Sequence, residues 1–426
     1  MLEEVLSRLA TLLLGILLYT APAPAQSDPR AKALCSQVPG IVKELTEISG
    51  MKLHHAVPCD FITKEQINQF LKKRVSETES PEDLRAEELT LKKFGFIPQD
   101  FDLAKNEVDL LTEQAAAFYD YNRKKLFITD STSDESQMTV LAHELSHALA
   151  DQNYNLGRFI KQGRKSDDGS TARLAVMEGQ ATWMMSEYMA RKSGQSLRDS
   201  PTLAAMMSDI AGGDEESDKT DKKDSNGEFP VYDKEPLYLR LTLVFPYTKG
   251  MAFQQAVLVR DPREGFGEVF LHPPASTQQI LHPEKYFQRV QPAEPALPVV
   301  HLPRGYKGLV GGELGELEQS ILLEQYAGKT RAAEVAPHWR GCQFELQENK
   351  KAGRVVLLYA TEWDSEESAS QYFAAYAQVM RKKWKSMTVT SEESDSLLGT
   401  GDDGRFELRR KGATVTSIEG LDPAIH

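Results

Sequence analysis

The sequence predicts an α+β protein: a mainly helical part with a small hairpin inside it, followed by a small C-terminal α+β unit. Three observations carry this. Long stretches before residue 295 read as helix, among them Val140–Leu149, Thr171–Met185 and Leu237–Val259. Two aromatic or β-branched runs, Ala117–Tyr121 and Lys125–Thr129, flank the turn residues Asn122-Arg123-Lys124 and read as a hairpin. From residue 296 onward, strand-like and helical runs alternate.

Residues 1–25 open with Glu3, Glu4 and Arg8, continue as an apolar run from Leu9 to Tyr19, and close on the small residues around Ala23 and Ala25. The run is short for a transmembrane helix. It reads as a secretory signal peptide cut after Ala23 or Ala25, which implies a secreted or periplasmic protein. An uncleaved N-terminal membrane anchor is the alternative. No later apolar stretch approaches membrane length, so no other integral membrane domain is expected.

Residues 26–114 are expected to be an N-terminal helical segment. Thr63-Lys64-Glu65-Gln66 has capping-box form, and Glu87–Phe94 continues with helix formers until Gly95 and Pro98. The segment either packs against residues 115–295 or is removed as a pro-segment. Residues 115–295 form the next unit. Within it, Gly157–Ser170 is polar and reads as an inserted loop, and residues 212–228 lack any large apolar side chain and read as a disordered loop. Leu237–Val259 is apolar and interrupted by Pro246, giving two helices or one kinked helix.

The Pro-rich stretch Gln291–Pro303 marks the boundary to the C-terminal domain, residues 296–426. There Glu313–Ala333 and Ser365–Trp384 are expected as helices, and Gln343–Leu346, Val355–Ala360, Arg405–Arg409 and Ala413–Ile418 as strands. A packing, substrate-docking or envelope-interaction role fits this unit, which lacks a cluster of catalytic residue types.

The formal net charge is −13, of which residues 1–25 contribute −1. An acidic chain without a basic stripe interleaved with aromatics disfavours nucleic acid and anionic membranes as partners. Of the three cysteines, Cys35 and Cys59 could pair in an oxidising compartment, leaving Cys342 as a small buried hydrophobe. None has CxxC spacing.

The chemistry concentrates at His143-Glu144-Leu145-Ser146-His147, a HExxH pattern. On a helix, positions i and i+4 share a face. Two imidazoles can therefore hold one Zn²⁺, with the intervening glutamate placed to act on a water. Leu141, Leu145, Ala148 and Leu149 would form the apolar side of that helix. An amphipathic core helix with two satisfied histidines is the plain alternative. A catalytic zinc usually takes three protein ligands and an open position. The extended form HExxHxxGxxH is excluded, because Ala150 and Asn153 occupy its Gly and third His. Glu178 is the better third ligand: it falls on an otherwise apolar helical stripe with Leu174, Ala181 and Met185, where a buried charge needs a metal or a cationic partner. Gly179, costly inside a helix, suggests close approach of a second helix or of the metal. A surface pairing of Glu178 with Arg or Lys is the alternative.

These residues resemble the gluzincin metallopeptidases, which carry HExxH on one helix and a glutamate ligand on a later one. Glu178-Gly179-Gln180-Ala181 looks like the Glu-Gly-x-Ala segment of zinc aminopeptidases in that clan, and His143 to Gln152 resembles a set of secreted bacterial proteins assigned to it. The specific part covers about residues 115–185, and it implies a zincin-like catalytic domain. His143, His147 and Glu178 are then the Zn²⁺ ligands and Glu144 the general base. Thirty residues separate His147 from Glu178, more than in the aminopeptidases, and no exopeptidase signature is visible; an endopeptidase is favoured. The clan uses a Tyr or His at the oxyanion, for which Tyr247, His282 and Tyr286 are the candidates. Asp151, four residues after His147, either orients a ligand histidine or is solvated. The hairpin is either an extended-substrate platform or purely structural. The expected function is a secreted or periplasmic zinc peptidase acting on a protein or peptide. The alternatives are a non-catalytic, zinc-stabilised envelope binding or scaffold protein, and a helical protein whose motif is accidental.

Overall fold

Helix α1, Pro29–Ser49, buries Leu34, Val38, Ile41, Val42, Leu45 and Ile48, the i, i+3, i+4 spacing of a one-sided helix. The structure is a computed structural model and describes residues 29–63, 65–69, 80–106, 117–129, 134–211 and 231–422. The expected leader and the loop 212–228 lie outside these. Cys35 of α1 is disulfide-bonded to Cys59, with the Cα atoms 5.6 Å apart. Cys59 opens strand β1, Cys59–Ile62, which runs parallel to β3, Lys125–Thr129. Strand β2, Ala117–Asp120, pairs antiparallel with β3, so the sheet order β1-β3-β2 leaves β2 at an edge. The hairpin is thus as read, but β1 joins it from a segment expected to be helical. Four residues with one apolar alternation are too few to signal a strand without their partner.

The capping box at Thr63 forms: Thr63 N–H donates to Gln66 Oε1 at 3.0 Å, and Gln66 N–H to Thr63 Oγ1 at 3.2 Å. Helix α2, Pro81–Phe94, is capped by Ser80 and Asp83 and stopped by Gly95 at φ 88°. Its end is built into the C-terminal domain. Phe94 meets Phe344 and Tyr359 edge-on, and the Gly95 carbonyl accepts from Tyr326 Oη at 2.6 Å and Gln325 Nε2 at 2.8 Å.

The helical core comprises α3 (Asp134–Tyr154), α4 (Leu156–Gly163), α5 (Asp167–Lys192), α6 (Pro201–Ala211) and α7 (Leu237–Arg260). Three short helices follow: α8 (Gly265–Leu271), α9 (Thr277–Leu281) and α10 (Pro283–Phe287). The stretch read as an inserted loop is in fact largely helical, Gly157–Gly163 belonging to α4 and Asp167–Ser170 to the first turn of α5. Asn155 caps α4 through Arg158 N–H, and Leu156, Phe159 and Ile160 bury one face, so the polar residues that suggested a loop are its other face. Leu237–Arg260 is one helix, with Pro246 inside.

In the C-terminal domain, seven strands run in the order β4-β5-β6-β10-β9-β8-β7: β4 Lys307–Gly312, β5 Trp339–Asn349, β6 Arg354–Trp363, β7 Thr388–Glu392, β8 Ser396–Gly401, β9 Gly404–Lys411 and β10 Thr414–Leu421. Helix α13, Glu366–Lys383, covers one face through Ala369, Tyr372, Tyr376 and Val379. The Pro-rich stretch expected as a boundary covers part of the other, laying Leu297, Val300 and Leu302, followed by Tyr306, on Val356, Leu358, Ile418 and Leu421. The expected single helix 313–333 is two, α11 (Glu316–Ala327) and α12 (Lys329–Val335), parted by Gly328 at φ 94°. Strands β4, β7 and β8 were not foreseen. β4 and β8 contain glycines that lower strand propensity, and β7 is polar and largely exposed. Among the described residues, no helix is long and apolar enough to cross a membrane.

Where α5 meets α9 and α11, carboxyls are buried together. Asp168 Oδ1 accepts Thr277 N–H at 2.8 Å, and Glu318 Oε2 accepts Gly315 N–H at 2.8 Å. Asp168 Oδ2 and Glu318 Oε1 have no hydrogen-bond partner among the described residues. Burial raises both: Asp168 well above its ordinary value, with Glu318 and Glu313 adding to it, and Glu318 to about 7. The folded state thus binds more protons here than the unfolded chain. Stability from this joint is complete below the ordinary carboxylate range and is lost as pH rises through about 7. Thermal unfolding should therefore shift downward between about pH 5 and about pH 8, and Glu318→Gln should flatten that slope. An equally steep slope in the variant would show that the joint does not titrate.

Candidate metal centre

Helix α3 is anchored by the apolar side expected for it: Leu141, Leu145, Ala148 and Leu149 are buried. His147 is buried beside it, and His143 and Glu144 are partly buried on the neighbouring face. The Glu178 side comes from α5, whose Leu174, Glu178 and Ala181 are buried. Two glycines set how α5 meets α7. A Cβ on Gly179 would stand 2.0 Å from the carbonyl carbon of Gly250, and one on Gly250 would stand 2.2 Å from the carbonyl oxygen of Ala175. Of the two reasons considered for Gly179, the second helix is the one the structure displays. Any larger residue at either site must push the helices apart. The crossing also sets Tyr247, three residues before Gly250, next to Glu178, one residue before Gly179.

Three donor atoms converge from α3 and α5. His143 Nε2 lies 3.1 Å from His147 Nε2 and 3.1 Å from Glu178 Oε2, and His147 Nε2 lies 3.3 Å from the same oxygen. Around a tetrahedral ion with bonds of about 2.0–2.1 Å, ligand atoms stand about 3.3–3.4 Å apart. The triangle therefore has nearly the size of one face of a zinc tetrahedron. Two neutral imidazole nitrogens aimed at each other and at a carboxylate cannot all be satisfied by one proton; a shared cation satisfies all three lone pairs. Glu144 offers an oxygen within 4.8 Å of the two ring nitrogens. Its Oε2 accepts the Tyr119 backbone N–H at 2.7 Å.

The electrostatics match that donor set. Burial alone would raise Glu178, but His147 and His143 overcome it and hold the carboxylate ionised, far below its usual range. Burial would lower His147, yet Glu178, then Glu144 and Asp151, raise it. Glu144 is raised by burial, with His147, His143 and the Tyr119 amide pulling the other way. Tyr247 stacks on His143 at 5.9 Å between ring centroids, and its hydroxyl lies within electrostatic reach of Glu178. Burial, with Glu178 and Glu144, pushes its hydroxyl well above the ordinary phenol value, so it stays a protonated donor.

The other candidates lie in different surroundings. His282, between α9 and α10, has Nε2 2.7 Å from Glu316 Oε1 and Nδ1 3.7 Å from Glu284 Oε1, so its ring serves the joint to α11. Tyr286 donates to the His272 carbonyl at 2.8 Å. Asp151 is neither solvated nor hydrogen-bonded to a histidine. It is buried and accepts from Tyr119 Oη, Lys124 Nζ and Leu156 N–H at 2.9, 2.6 and 3.0 Å. Tyr119 touches both Glu144 and Asp151 and was read only as part of the hairpin; residue type gave no signal, because one of the two contacts is made by its backbone.

Residues 307–425 match the model of a family described as "Domain of unknown function (DUF8575)". The match covers the C-terminal sheet domain and not the metal-centre helices. No curated protein and no solved structure matches the chain.

Proposed function

We propose that this chain is a zinc-dependent peptidase, with His143, His147 and Glu178 holding the ion and Glu144 acting as general base. The reading rests on one observation: three donors from two helices meet at 3.1–3.3 Å, beside a second carboxylate, that of Glu144. A zinc ion there would acidify a water and polarise a carbonyl. Glu144, made more basic by burial, takes a proton from the attacking water and delivers it to the leaving amine. Tyr247, kept protonated beside Glu178, is the hydrogen-bond donor for the developing oxyanion. His282 has no part in this reading, since its ring faces Glu316 and Glu284. A closed structural zinc site has no use for a base such as Glu144, which favours catalysis over a scaffold role. The Cys35–Cys59 disulfide supports a secreted or periplasmic location. Elemental analysis of the purified protein tests the centre: one zinc per chain is expected, and no zinc even after metal is added back would sink the reading.

A further inference from the structure

Tyr119 grips helix α3 at two points. Its backbone N–H donates to Glu144 Oε2 at 2.7 Å, and its hydroxyl donates to Asp151 Oδ2 at 2.9 Å. Glu144 and Asp151 are seven residues apart, two helical turns along one face. The strand carrying Tyr119 is the sheet edge, so its position is not fixed by a second neighbouring strand. Because the Tyr119 amide points to Glu144, antiparallel alternation turns the Phe118 and Asp120 amides toward β3.

Lys124, in the turn between β2 and β3, completes the grip. It adopts φ 54°, uncommon for a non-glycine residue, and its ammonium lies 2.6 Å from Asp151 Oδ2. Tyr119 is 1% exposed and Asp151 is buried, so the phenol–carboxylate bond forms away from water.

We infer that Tyr119 is a positioning residue for Glu144: its hydroxyl, anchored on Asp151 and Lys124, holds the edge strand at the height where its amide fixes the Glu144 carboxylate. The inference rests on the peptidase reading only for its effect on turnover. The hydrogen-bonded grip stands independently of any metal or substrate.

The test is amide hydrogen exchange on the full chain, comparing wild type with Tyr119→Phe and Asp151→Asn. In the wild type the Tyr119 amide should be protected although it lies on a sheet edge. In Tyr119→Phe its exchange should accelerate at least about tenfold, while the Phe118 and Asp120 amides keep their protection. Asp151→Asn retains an acceptor for the phenol and should fall between. Uniform loss of protection across β2 and β3 would make Tyr119 merely structural, and unchanged exchange at residue 119 would remove the grip; either overturns the inference. Turnover of a quenched fluorescent casein provides the second readout. Tyr119→Phe should lower kcat by about 10- to 100-fold with KM nearly unchanged. A KM effect alone would overturn the positioning role. The expected acceleration in Tyr119→Phe, found together with a wild-type protein that never hydrolyses casein, would instead count against the peptidase reading and leave the grip intact.

Discussion

Glu144→Gln is expected to keep one zinc per chain and to lose peptide hydrolysis by about two to four orders of magnitude, the range for removal of a general base. The substitution is nearly isosteric. The Gln carbonyl can still accept the Tyr119 N–H that Glu144 accepts now. The three donors that meet at 3.1–3.3 Å are untouched. What disappears is the capacity to take up a proton, which burial enhances in the wild type. Metal content and activity should therefore separate in this variant. Full activity with zinc retained would rule out Glu144 as the base, and loss of zinc would show that Glu144 helps hold the ion.

Glu178→Ala should act the other way, removing metal first. It deletes the only anionic member of the triangle and leaves two imidazoles, one of them raised by this same carboxylate. Zinc affinity should fall by more than the roughly 10- to 100-fold that loss of a hydrogen bond to a ligand costs. The apoprotein should suffer less, because His147, freed of the carboxylate that raises it, can shed its proton. The clearest readout is thus the gap in melting temperature between zinc-loaded and chelator-treated protein, wide in the wild type and nearly closed in Glu178→Ala. A variant whose melting gap matched the wild type would mean that any bound ion sits elsewhere.

Much of the helical part was legible from local pattern. The face of α3 could be read because Leu141, Leu145, Ala148 and Leu149 repeat with the period of a helix. Glu178 stood out because a carboxylate interrupts an apolar stripe. Errors arose where a segment's polarity was mistaken for lack of structure. Helix α4 shows its polar face to solvent and buries Leu156, Phe159 and Ile160 on the other. Strands β1, β4, β7 and β8 are short, exposed or rich in glycine, and their pairing comes from partners distant in sequence.

Within the site, the division has the same origin. The spacing of His143 and His147 follows from helix geometry, so the sequence alone determined that two imidazoles share a face. It also marked Glu178 as a charge in need of a partner and Gly179 as a point of close approach. Whether those features meet depends on how α5 crosses α3 and α7, and only the tertiary structure decided that: Glu178 meets the two imidazoles across α3, and Gly179 meets Gly250 across α7. The same holds for Tyr247 against His282. Both were plausible donors by residue type, but the crossing sets Tyr247 on Glu178 while His282 faces Glu316 across a domain joint. Tyr119 was invisible for a further reason: its hold on Glu144 is made by a backbone amide, a group every residue but proline carries, so only its place in space distinguishes it.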